Sequence, residues 1–90
     1  MKTYPDTRDG AEQCLADNAS TSVVVCALKL VRNGTCEWRP DPEVTGVWGL
    51  VPTGTEPDLL VESALIIVHC TTGNCDVSDA FWGQAEEVDS

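Results

Sequence analysis

Ninety residues with a hydrophobic share of 42% suffice for one thin core and are too apolar for a disordered chain, since a domain of this size buries only about 60–65% of its unfolded surface. Fifteen acids against five bases set the formal charge at −10 and the pI near 4.1, which disfavours direct nucleic-acid binding and favours a basic protein surface as partner. No apolar run approaches the roughly 18 residues of a membrane span, and MKTYPDTRDG has no secretory apolar stretch, so the expectation is synthesis in the cytoplasm without a signal peptide.

Charge is divided along the chain. Lys2, Arg8, Lys29, Arg32 and Arg39 balance Asp6, Asp9, Glu12, Asp17 and Glu37, so the whole formal charge falls on Pro40 to Ser90, which has no Lys or Arg. One domain is expected, with an N-terminal arm and short helix over 1–21, a β-rich core over 22–85 and an acidic tail over 86–90.

Asp9-Gly10-Ala11-Glu12 has capping-box spacing and predicts a helix from Gly10 to about Asp17, with Ala11, Cys14 and Leu15 as its apolar stripe and Asn18 as its stop. Ser22 to Arg32 (SVVVCALKLVR) is rich in β-branched residues and runs into Asn33-Gly34, a strong hairpin signal. A hairpin over 22–39 is therefore expected. Its register puts Val24, Cys26, Leu28 and Leu30 on one face and Val23, Val25, Ala27, Val31, Cys36 and Trp38 on the other. An end that is apolar on both faces requires cover from a helix, a second sheet or a partner.

Glu43 to Val51 alternates so that Val44, Trp48 and Leu50 share a face, which reads as a third strand. Pro52 to Pro57 is a loop. Asp58 to Cys70 carries competing signals, a helix start at Thr55-Glu56-Pro57-Asp58 and a strand-favouring Leu65-Ile66-Ile67-Val68. It is assigned as a strand, with Thr71 to Asn74 as the following turn and a helical turn around Phe81 and Trp82. The resulting fold is a mostly antiparallel β domain of about four or five strands with a short N-terminal helix, as a small sandwich or open barrel; an α+β sheet is the alternative.

His69, Cys70 and Cys75 form the one cluster resembling a metal half-site, because structural zinc tolerates such spacing. Cys14, Cys26 and Cys36 are spread singly and supply no second half. A disulfide closing the turn at Cys70 and Cys75, or plain buried thiols, are the competing readings. His69 next to Cys70 on a strand points to the opposite face, which argues against a Cys–His nucleophile. Carboxylate pairs follow from the number of acids, and Asp76-Val77-Ser78-Asp79 lacks the Gly and terminal Glu of an EF-hand loop. No phosphate loop or nucleophile elbow occurs. With no signal peptide expected, the two sequons at Asn18 and Asn33 are read as coincidental.

Large aromatics dominate interface hot spots, so Trp38, Phe81, Trp82 and Tyr4 are the candidate contact residues, with Trp48 assigned to the core. Neither a catalytic residue nor a cofactor is expected. The composite expectation is a non-enzymatic structural or assembly protein, such as a virion accessory or capsid-cementing protein, acting on a basic partner or by self-association. The alternatives are an acidic inhibitor that mimics nucleic acid in a basic cleft, and a zinc-stabilised binding module.

Overall fold

A computed structural model describes residues 2–89, with side chains over 2–84. Its architecture is α+β: four α-helices and one four-stranded antiparallel sheet. Helix α1 spans Arg8–Asn18 and α2 spans Thr21–Arg32, followed by β1 (Cys36–Pro40) and β2 (Val47–Pro52). A 3-10 turn at Pro57–Leu59 leads into the short α3 (Leu60–Ser63), then β3 (Ile66–His69), β4 (Asn74–Val77) and α4 (Asp79–Asp89). The sheet is a meander in the order β1-β2-β3-β4.

The mostly-β expectation is thus corrected, and the correction centres on residues 22–39. Thr21–Arg32 is a helix capped by Ser20, whose side chain accepts from the Val23 amide. Val23, Ala27 and Leu30 are buried, at the i, i+4, i+7 spacing of one helical stripe. β-branched residues cost a helix only tenths of a kcal/mol each, which burying this stripe outweighs. Asn33-Gly34 ends the helix instead of turning a hairpin. Gly34 takes φ 81° and donates its amide to Val31 at 3.2 Å, the left-handed C-terminal stop in which glycine carries no Cβ penalty.

The helix foreseen at Gly10 begins earlier, because Thr7 and not Asp9 is its cap: the Thr7 hydroxyl accepts from the Gly10 amide at 3.0 Å. In 58–70 both sequence signals are realised in succession, helical turns over Pro57–Ser63 and a strand over Ile66–His69. The third strand is shorter than expected: Val44 lies exposed in the turn before it, while Trp48 and Leu50 do share a face. The acidic tail belongs to α4 as far as Asp89, and Ser90 and the side chains of 85–90 lie outside the described residues.

Strand pairing sets the layers. Trp38 lies opposite Leu50, Leu50 opposite Ile66 and Val68 opposite Cys75, so these side chains share one face. This face carries the main core, with α1 lying across β1, β3 and β4, α2 over β1, and α4 packed on α2. Gly49 looks the other way, and a Cβ there would stand 3.2 Å from Leu60 and 3.4 Å from Ala64. Its bare backbone lets α3 close over Val51 on the second face.

An N-terminal arm straps the helix layer to the sheet. The Tyr4 amide donates to Cys70 O at 2.9 Å, and the Trp48 indole donates to the Asp6 carboxylate at 2.7 Å.

Candidate functional site

An open groove of about 350 Å³ lies between α1 and α2. Its floor is Trp38 and Ala27, and α2 supplies Val24, Leu28 and Val31 along one wall. The α1 wall presents the buried Leu15 low down, with Asp9, Glu12, Gln13 and the exposed Ala16 towards the rim. This volume lies at the lower end of the range for specific ligand sites, and an apolar floor with few polar rim groups is their usual chemistry.

The groove exists because α2 carries more apolar surface than the core takes up. Val23, Ala27 and Leu30 face the sheet, while Val24, Leu28 and Val31 form a second stripe displaced by one residue. Val24 and Val31 are half-buried, and Leu28 is 38% exposed. The Ala19-Ser20 connection and the small side chains of Ala16 and Ala27 leave the space between the helices unfilled.

Electrostatically the groove has an acidic lip. Glu12 pairs with Arg8 at 3.6 Å across one helical turn, and the exposed Asp9 makes no ion pair among the described residues. Behind it, Asp17 accepts from Lys2 at 2.6 Å, Tyr4 at 2.8 Å and Gln13 at 2.9 Å. The Lys2 hydrogen bond, then that of Tyr4, holds the Asp17 carboxyl below its usual range. The same cluster pins Gln13 at the rim and Tyr4 against the core.

The sequence-derived contact residues separate. Trp38 is 8% exposed and forms the groove floor. Phe81 is fully buried in the core, and Tyr4 is buried with its hydroxyl directed to Asp17. Trp82 is 43% exposed on α4, edge-on to Phe81 with centroids 5.2 Å apart. They do not form one patch.

His69 and Cys75 lie on opposite faces, because His69 pairs with Asn74 and Val68 with Cys75. His69 instead faces Asp76 across 4.0 Å on the second face. Among the described residues no group of three or more His, Cys, Asp or Glu is placed to hold a metal ion, and all five cysteines are free thiols. Cys14 and Cys70 are wholly buried. Burial, reinforced by the neighbouring Cys70 and Cys75, pushes the Cys14 thiol up to about 11. Burial likewise raises Cys36, Cys70 and Cys75. Raised values keep thiols protonated at neutral pH, which is the opposite of nucleophile activation.

The groove residues Val24, Leu28 and Val31, expected on strand faces, lie on helix α2. Their own i, i+4, i+7 spacing, beside that of Val23, Ala27 and Leu30, is the signal that identifies a doubly apolar helix. No protein-family model, curated protein or solved structure matches the chain.

Proposed function

We propose that this chain is a non-enzymatic contact protein, of structural or assembly type, that holds a basic protein partner in the groove between α1 and α2. The observation that carries this reading is the apolar recess of about 350 Å³ with Asp9 and Glu12 on its lip. The formal charge of −10 supports a basic partner over a second copy, because like-charged surfaces repel and unlike ones accelerate encounter. The raised thiols and the separation of His69 from Cys75 support contact over catalysis.

A test is affinity capture from the native source with wild-type chain and with Leu28→Glu, which places a carboxylate over the apolar floor. A partner retained at high salt by the wild type and lost by Leu28→Glu is the expected result. Equal capture by both counts against the groove.

The acidic-mimic reading is favoured by a different observation. Asp41, Glu43 and Asp58 gather around a smaller recess of about 120 Å³ beside β1 and α3. Asp41 is already engaged there, accepting from the Glu43 and Val44 amides at 2.8 and 3.3 Å. Under this reading capture collapses with salt and is lost in the Glu43→Gln, Asp58→Asn double variant while surviving Leu28→Glu.

A further inference from the structure

Both walls of the groove are helices, and that decides the kind of segment it can hold. Helical walls have their N–H and C=O groups bonded internally, so an extended peptide would find no ladder to join and would bury its own backbone groups unpaired. A helix satisfies its own backbone. The lining stretches Asp9 to Ala16 and Val24 to Val31 each extend about 10 Å at the helical rise, which matches the i to i+7 span of a docked helix. The volume of about 350 Å³ is a little over twice the roughly 150 Å³ that accommodates one benzene ring in an apolar cavity. Two or three aliphatic side chains therefore fill it.

Charge selects the flanking residues. Arg8 is committed to Glu12 at 3.6 Å, and the exposed Asp9 has no counter-ion among the described residues. Every chain that docks also approaches a protein of formal charge −10. We infer that the groove between α1 and α2 is a helix-docking site for a basic amphipathic helix of a partner protein, with apolar residues at i, i+3 or i+4 and i+7 over Trp38 and Leu28 and with Lys or Arg reaching Asp9 and Glu12. This rests on the contact-protein reading above and adds the conformation and the charge of the segment bound.

The test is a displayed library of random peptides about 16 residues long, enough for four helical turns, selected on the wild-type chain and counter-selected on Leu28→Glu. Enriched peptides are expected to carry net positive charge and the i, i+3 or i+4, i+7 apolar pattern, and to gain helical circular dichroism on binding. Their affinity is expected to fall at least about tenfold in Leu28→Glu and by about three- to tenfold in Asp9→Asn with Glu12→Gln, as for loss of one buried anchor or of a charged rim. Val25→Glu, on the outer face of α2, leaves affinity unchanged. Ala16→Trp, which fills the groove from the α1 wall at an exposed position, blocks binding independently and covers the case in which Leu28→Glu fails to fold. Enrichment of acidic, proline-rich or extended peptides that still depend on Leu28 overturns the helix assignment while leaving the groove as a contact site. Absence of any peptide that distinguishes the wild type from both groove variants overturns both.

Discussion

Two glycines, each inside a helix, are expected to respond in opposite directions to the same substitution. Gly10, in the first turns of α1, lies under the N-terminal arm: a Cβ there would run into the Pro5 carbonyl oxygen and stand 2.8 Å from its carbon. Both are backbone atoms, so no side chain can rotate aside and the arm itself must move. Gly83, in α4, would place its Cβ in open space, with no described atom within 4 Å. Alanine is favoured over glycine in a helix by about 1 kcal/mol, and that gain is the whole effect at Gly83. At Gly10 it is opposed by overpacking, which costs about 1–3 kcal/mol and strains the Tyr4–Cys70 and Trp48–Asp6 hydrogen bonds, leaving a net loss of up to about 2 kcal/mol.

Thermal unfolding followed by circular dichroism reads this directly. A change of 1 kcal/mol shifts Tm by about 4–8 °C in a domain of this size, so Gly83→Ala is expected to raise Tm by about that amount and Gly10→Ala to lower it. Amide exchange at Tyr4, whose N–H is held by Cys70 O at 2.9 Å, should accelerate in Gly10→Ala alone. If both variants raise Tm equally and the Tyr4 amide stays protected, the close approach of Pro5 to α1 is wrong.

Three further outcomes follow from burial and charge. The Cys14 thiol is raised to about 11 in the fold and titrates near 8.5–9 when unfolded, so its contribution is complete below the unfolded value and is lost as pH rises through the folded one. That amounts to about 3 kcal/mol, and urea midpoints between pH 8 and 11 should fall less steeply in Cys14→Ala than in the wild type. Asp17 is shifted the other way, below its usual range by Lys2 and Tyr4, so its contribution is present above the unfolded carboxyl value of about 3.9 and is lost as pH falls through the folded one. Asp17→Asn should flatten that acid limb when exchange at Tyr4 is followed from pH 5 downwards. Phe81→Ala removes a fully buried ring and should cost about 3–5 kcal/mol, whereas Trp82→Ala, at a position 43% exposed, should cost under half as much in the same denaturation assay.

The helix at Gly10 was legible, and of the strand expected over Asp58 to Cys70 the part at Ile66–His69 and the turn after it were, because local chemistry and tertiary demand agree there. Val23-Val24-Val25 was not, because β-branching expresses only a weak preference and the position of Ser20 carries the decision. A serine with Val23, Ala27 and Leu30 at i, i+4, i+7 behind it specifies a capped amphipathic helix, and Asn33-Gly34 serves a helix end as well as a hairpin. A hairpin turn would take positive φ at both Asn33 and Gly34; only Gly34 takes it, at a helix end. Once 22–32 is taken as strand, Trp38 loses the helices above it and the groove cannot be inferred, since its two walls belong to elements that the sequence reading kept apart.

The division of charge acquires a structural sense from the same helices. The balanced first part of the chain supplies the arm, α1, α2 and β1, and therefore both groove walls and the Trp38 floor. The lysine-free part supplies β2, α3, β3, β4 and α4, with Asp41, Glu43, Asp58 and Asp76 distributed around the sheet. A groove with only Asp9 and Glu12 on its lip can bury apolar side chains without desolvating many carboxylates, which would oppose docking. Under the docking proposal the remaining acids would act at range, raising the encounter rate of a basic partner in a way that salt screens. If this separation of roles is correct, removing distant acids such as Asp76 and Glu43 slows association in a salt-dependent manner and leaves dissociation unchanged, whereas Leu28→Glu accelerates dissociation at every salt concentration. Surface plasmon resonance with a peptide selected on the groove resolves the two rates. Equal effects of both classes of variant on dissociation would show that the acids are contact residues and that the groove is not the place where binding energy is concentrated.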